Sequence, residues 1–279
     1  MAPRLSVNLN KVALLRNSRR TGVPDVLRFA ALARDAGADG ITVHPRPDER
    51  HISRDDVLAL ARLMEPWRPD FELNVEGYPD ERLLEIIRAV RPEQCTLVPD
   101  APDVLTSEEG WKLDNRDMAR VRSAVADLKR VGCRVILFLD PDPQIVPRVP
   151  GTGANGIEIY TGSYAAAVRN GNPEALLGAC TAAASVAADL DLTVNIGHDL
   201  NLANLPPLMN RMPVFRRRRS ATSSRPMRSS WGFLLQCLHT GRRLAPPERD
   251  VASEQRLAAP AAATGVMNLQ GWDSRRSAA

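Results

Sequence analysis

Seven short apolar runs rich in β-branched residues, separated by stretches with helical spacing, constrain this chain more than any other feature. The runs are Leu5–Leu9, Gly40–His44, Asp70–Val75, Gln94–Val98, Cys133–Leu139, Gly156–Tyr160 and Leu192–Ile196. Between them, Pro24–Ala36, residues 54–65, Pro79–Val90, Asn115–Val131 and Pro173–Leu190 repeat their apolar residues every three or four positions, as amphipathic helices do. Three of these open with Pro in or near the first turn, and Ser53 with Asp56 forms a capping-box pattern before 54–65. Strands that alternate with helices pair in parallel, because a parallel pair needs a long crossover between its members. With this number of units, a (β/α)8 barrel, typically about 250 residues, is favoured over an open sheet. A helix near Leu202–Met209 should lead to an eighth strand, yet periodic patterning stops after Pro213. The expectation is a barrel domain over residues 1–213, with its eighth βα unit missing or replaced, and an Arg/Ala/Ser/Pro-rich, poorly ordered tail over 214–279.

Charge follows the same boundary. Residues 215–279 hold twelve Arg, no Lys and four acids, so a net charge of +4 for the whole chain leaves residues 1–214 acidic. The basic character therefore describes the tail and says little about what the barrel binds. Its Arg run, Arg216–Arg219, has no interleaved aromatics, so a solvated tail is favoured over a nucleic-acid contact. Arg/Ala/Pro/Ser bias is also what out-of-frame GC-rich DNA encodes. Cys95, Cys133, Cys180 and Cys237 include no C-x-x-C pair and read as free thiols rather than disulfides or a zinc site. No run of about 18 apolar residues is present, and Met-Ala-Pro-Arg lacks an apolar signal region, so a cytoplasmic protein without a membrane partner is expected.

In a barrel the carboxyl ends of all strands converge on one mouth. Those ends carry Asn8 and Asn10, His44, Asp140, Glu158 with Thr161, and Asn195 with His198. Glu72 lies inside its strand, and alternation puts Glu72 and Asn74 on one side, expected to be the lumen. A carboxyl group there loses water and is expected to move toward the range useful for proton transfer. His44, Arg46 and His51 share a loop stiffened by Pro45 and Pro47. Arg16, Arg19, Arg20, Arg46 and Arg50 cluster in the first two loops, which suggests an anionic ligand such as a phosphate. No metal-binding spacing of the H-E-x-x-H kind occurs, so no metal site is expected.

Several of these segments together resemble a known family. They are Val7-Asn-Leu-Asn with Leu15-Arg-Asn17, the run from Ala36 through His44 to Ile52, Glu72, Leu97-Val-Pro99, Ile157-Glu-Ile-Tyr-Thr-Gly with Tyr164, and Asn195-x-Gly-His198. The family is that of pyridoxine 5′-phosphate synthases of the deoxyxylulose-dependent vitamin B6 pathway, and the likeness runs from about Leu5 to Pro213. It implies a (β/α)8 barrel, a homo-octamer built from dimers, no metal or organic cofactor, and two phosphorylated small molecules as substrates. The implied reaction joins 3-amino-2-oxopropyl phosphate to 1-deoxy-D-xylulose 5-phosphate, giving pyridoxine 5′-phosphate, phosphate and water. By resemblance, His44 and Glu72 are general bases and His198 the proton donor. Arg46, His51 and Thr106 match positions that hold the deoxyxylulose phosphate, and Asn8 and Arg19 those that hold the aminoketone phosphate. Asn10 and Lys11 stand where many members have Asp and His, and Asp199 where Gly is common. The family's eighth strand leads to a Gly-His phosphate grip that residues 214–279 lack. An impaired relative that binds at most one phosphorylated substrate is the alternative this departure raises.

Overall fold

The computed structural model describes residues 3–19, 21–100, 109–212 and 232–235. The chain divides after Leu244, and every described residue belongs to the first unit. Eight parallel strands close a barrel in sequence order, from β1 to β8 and back to β1. They are β1 Arg4–Asn8, β2 Gly40–Val43, β3 Glu72–Gly77, β4 Gln94–Leu97, β5 Arg134–Leu139, β6 Gly156–Tyr160, β7 Thr193–Gly197 and β8 Gly232–Leu235. Of the eighth unit, a strand is thus present among the described residues. Gly232–Leu235, from within the stretch expected to be a tail, pairs with Arg4–Val7 on one side and with Ile196 and Gly197 on the other. The remainder of the expected tail, including Cys237, lies outside the described residues.

The helices are α1 Asn10–Asn17, α2 Val26–Asp35, α3 Arg54–Met64, α4 Glu81–Val90, α5 Asn115–Val131, α6 Gly162–Arg169, α7 Glu174–Asp189 and α8 Leu205–Arg211. Their starts follow local chemistry. Asp25, Asp80 and Asp114 each accept a backbone N–H of the first turn, and Ser53 with Asp56 completes the reciprocal box read from the sequence. Two helices were not expected. Residues 10–17, read as a polar loop, wind into α1 because Val12 and Ala13 are fully buried. Arg16 reinforces the turn by a two-pronged bond to Asp56 of α3, at 2.5 and 2.8 Å. Residues 162–169 form α6, whose Tyr164, Ala165 and Ala167 are buried. No helix among the described residues is long and apolar enough to cross a membrane.

Strand parity separates two interiors. Ile41, Val43, Leu73, Val75, Cys95, Leu97, Val135, Leu137, Ile157, Ile159 and Val194 face the helices and join the apolar core. Burying each of the larger ones contributes about 1.5–3 kcal/mol before entropy is counted. The alternate residues face the lumen, where Ser6, Thr42, Asn74 and Thr96 form a hydrogen-bonded belt. Buried polar groups must find partners, and these find one another.

Candidate active site

Pairing register fixes how high each lumen residue stands in the barrel. Gly40 pairs with Glu72, and Val43 with Val75. Glu72 therefore opens β3 at the barrel's amino end, four residues below the level of His44. At about 3.3 Å per residue that separates it from the mouth by roughly 13 Å. There Arg4 of β1 and Arg134 of β5 each hold one of its carboxylate oxygens at 2.5 Å. The expectation that Glu72 joins the mouth is corrected: its side of the strand was read correctly, its level was not. The residue of the same parity at the mouth is Glu76, which the sequence analysis did not single out.

Glu76 is 5% exposed. Burial, aided by the negative charge of Asp100, pushes its carboxyl up to about 8. Glu158 of β6 is fully buried, and burial together with the charge of Glu76 holds it well above the ordinary carboxylate range. Its two oxygens have no hydrogen-bond partner among the described residues, and neither does Nδ1 of His198. That nitrogen stands 3.9 Å from Glu158 Oε1. Unpartnered buried polar atoms are costly and mark a place built for something other than stability.

The imidazoles complete the cluster. His44 is 7% exposed, and its pKa is held well below 6.5 by burial and then by the nearby charges of His51, Arg46 and His198. Burial likewise brings His198 down to about 4, against an opposing pull from Asp199. His51 falls to about 4 through burial and the Arg46 guanidinium. All three rings are therefore uncharged at neutral pH. His198 and Asp199 both take left-handed backbone conformations, φ 83° and 56°. Thr161 steadies that turn by donating its hydroxyl to the carbonyls of Gly197 and His198, at 2.5 and 2.7 Å. Strain of this kind gathers where a side chain must be aimed.

The other expected site residues have differing surroundings. Asn8 accepts the backbone N–H of Asn10, whose side-chain oxygen in turn accepts the backbone N–H of His44, so both asparagines set the His44 loop. Arg46 is buried beside Asp100, with Nη1 3.5 Å from a carboxylate oxygen, while Lys11 and Asp199 are exposed with charges that reach His198. Arg16 and Arg50 are not gathered for a ligand: Arg16 pairs with Asp56 and Arg50 with Asp48. Asp140 is likewise engaged, accepting from Gly110 N and Lys112 Nζ. Arg19 is exposed past the end of α1. Arg20 and Thr106 lie outside the described residues. No group of three His, Cys, Asp or Glu among the described residues is placed to hold a metal ion.

The chain is 47% identical over 210 residues to the pyridoxine 5′-phosphate synthase of Porphyromonas gingivalis, covering 75% of this chain and 85% of that one. It is 46% identical over 219 residues to that of Allorhizobium ampelinum, covering 76% and 86%. Among solved structures, the HMG-CoA lyase from Brucella melitensis overlays at a TM-score of 0.53 with 11% identity, covering 83% of this chain and 80% of that one. That likeness shows the barrel fold alone. The family described as "Pyridoxal phosphate biosynthesis protein PdxJ" matches residues 5–217, more than half of the chain, and the chain belongs to it.

Proposed function

We propose that this chain is a pyridoxine 5′-phosphate synthase, joining 3-amino-2-oxopropyl phosphate to 1-deoxy-D-xylulose 5-phosphate with loss of phosphate and water. The observation that carries the reading is the convergence of buried Glu76, Glu158 and His44 with the half-buried His198 at one mouth, in a chain 44–47% identical to synthases of that name. Such a condensation moves protons at several different atoms, which one acid/base group cannot serve. Glu76 takes the base role first assigned to Glu72, since a carboxyl poised near neutrality both accepts and returns a proton. His44, uncharged, is the second base.

His198 supplies the proton that lets a hydroxyl leave as water. As Nε2 gives its proton up, Nδ1 faces the protonated Glu158 and takes its replacement, so the ring stays neutral throughout. Arg46 and His51, with Thr106, hold the deoxyxylulose phosphate; Asn8 and Arg19 hold the aminoketone phosphate, beside Asn10, Lys11 and Asp199. The reading includes a cytoplasmic homo-oligomer without a cofactor. In support, Leu14 and Leu15 leave an apolar strip on α1, 49% and 59% exposed, and Cys95, Cys133 and Cys180 are buried free thiols. Closure of the sheet by β8 and the identity to named synthases favour an active chain over the impaired alternative.

The test is formation of pyridoxine 5′-phosphate from the two substrates together and from neither alone. His198→Gln is expected to lower the rate by about 10²-fold or more, the scale of a lost acid/base group. No product from the parent chain, or an unchanged rate in His198→Gln, overturns the reading.

A further inference from the structure

His198 is held by more than its own loop. Its ring packs against Phe138 of β5 at 4.9 Å between centroids and meets Tyr160 of β6 edge-on at 5.3 Å, with an interplanar angle of 74°. Phe138 and Tyr160 also touch each other, at 5.6 Å, so the three rings form a closed triangle. Phe138 stands level with Glu158 in the β5–β6 register, and Tyr160 with Gly197, the residue before His198. Tyr160 therefore stands on the strand that supplies the carboxyl group and level with the turn, and Phe138 stands on the neighbouring strand, level with that carboxyl group. Phe138 is fully buried and belongs to the lumen rather than to the outer core.

The seat of Tyr160 depends on a glycine. A methyl group added at Gly162 would run into the Tyr160 hydroxyl and the ring carbons beside it. A tyrosine ring on an open surface could swing aside, but this one is backed by Phe138 and His198. Gly162 is thus the space that lets Tyr160 lie where it meets the imidazole.

We infer that Phe138 and Tyr160 are positioning residues, which fix the His198 imidazole with Nδ1 toward Glu158, and that Gly162 keeps the seat open for Tyr160. Without them, χ2 of His198 loses two of its walls, and this broad terminal ring torsion keeps only the contact with the Gly197 backbone, since Nδ1 has no hydrogen bond to hold it. The aromatic walls also cover part of a ring that is otherwise 23% exposed, in keeping with its depressed pKa. The charged or titratable groups facing the imidazole are Glu158 from β6, Lys11 from α1, His44 from the β2 loop and Asp199 from its own turn. None of them changes when an aromatic ring is removed. The inference rests on the proton-donor role proposed for His198, and the experiment separates the two.

Tyr160→Leu and Tyr160→Phe are made in the full chain, alone and with His198→Gln. Product formation is measured together with the His198 ring titration by NMR. Tyr160→Leu should lower kcat by about tenfold with KM changed less than about twofold, because the loss is confined to the chemical step. Tyr160→Phe, which keeps the ring, should restore most of it. The His198 signal should titrate well above 4, toward 6.5, in Tyr160→Leu and stay low in Tyr160→Phe. In the His198→Gln background, Tyr160→Leu should have no further effect, as expected of a residue that acts through another. Equal losses in both backgrounds, or a His198 titration the same in parent and Tyr160→Leu, overturn the inference. An unchanged rate in His198→Gln alone overturns instead the role given to His198, and the titration still decides the positioning.

Discussion

Two glutamates on one face of one strand, four residues apart, meet opposite surroundings. Glu72 ends between the guanidinium groups of Arg4 and Arg134, each 2.5 Å away. Glu76 ends beside another carboxyl group, Asp100, and near a third, Glu158, and is pushed up to about 8. The amino end of the barrel is an ion-pair plug, where opposite charges cancel. The mouth concentrates acids and neutral imidazoles, which costs stability and leaves protons to move. Residue type is the same at both ends, so neighbours and depth assign the role.

The largest effect that would sharpen this contrast is on turnover. Glu76→Gln keeps the shape and removes the titrating group, so kcat should fall by about 10²–10⁴-fold. Glu72→Gln should leave kcat within about threefold, since no proton is transferred at the plug and a second-layer change there is felt only through packing. Rates of pyridoxine 5′-phosphate formation by both variants, each checked for folding by circular dichroism, measure the ratio. If Glu72→Gln is the slower enzyme, the assignment of the two ends is reversed.

A second test uses pH. The Glu76 carboxyl lies at about 8 in the folded chain against an ordinary 4.5, so the folded state binds the proton more tightly than the unfolded state does. The stability this contributes is complete below 4.5 and is lost as pH rises through 8. With about 1.4 kcal/mol per unit, the loss is on the order of a few kcal/mol. Glu76→Gln has no proton to lose, so its melting temperature should fall less than the parent's between pH 5 and 8.5, and should be the higher of the two at pH 8.5. The histidines titrate in both proteins and drop out of the difference to a first approximation, while Glu158, relieved of the Glu76 charge in the variant, moves the difference in the same direction. Parallel melting curves for the two proteins would show that Glu76 is not pushed up, and the contrast between the ends would lose its electrostatic basis.

How far the sequence carries this contrast depends on what each pattern encodes. Runs such as Ile41-Thr42-Val43 and Val135–Leu139 are legible as buried parallel strands because they are apolar on the helix face and β-branched or bulky throughout. Period-2 alternation showed that Glu72 faces the lumen, yet it gives the side of a residue and not its height. Height is set by the register with Gly40, a contact 32 positions away in the chain. The apolar run reads as ending at Val75, whereas β3 continues to Gly77 and carries Glu76 to the mouth. The charges of Arg16, Arg50 and Asp140 were plain, but their partners were not, since each ion pair is made by folding. α1 escaped because its apolar residues, Val12 to Leu15, form one unbroken run rather than a helical spacing, and only Val12 and Ala13 of them are buried. Phe138 and Tyr160 looked like ordinary strand aromatics; only the packed barrel brings them to His198.

The smallest expected effect tests the plug itself. Arg134 donates to Glu72 and to Gln94, and Arg4 donates to Glu72 and to the carbonyls of Asp39 and Asp70. Arg134→Ala removes one of the two cations on Glu72 while Arg4 remains, so the carboxylate is weakened in its pairing but not abandoned. These side chains are about a fifth to a quarter exposed, which screens the interaction well below that of a fully buried pair. The cost should be about 1 kcal/mol, read as a lower midpoint in urea at unchanged slope. Turnover should stay within about twofold, because the belt of Ser6, Thr42, Asn74 and Thr96 lies between this end and the mouth. A loss of turnover much larger than the loss of stability would mean that the two ends of the lumen communicate, and that the plug is part of the machinery rather than its foundation.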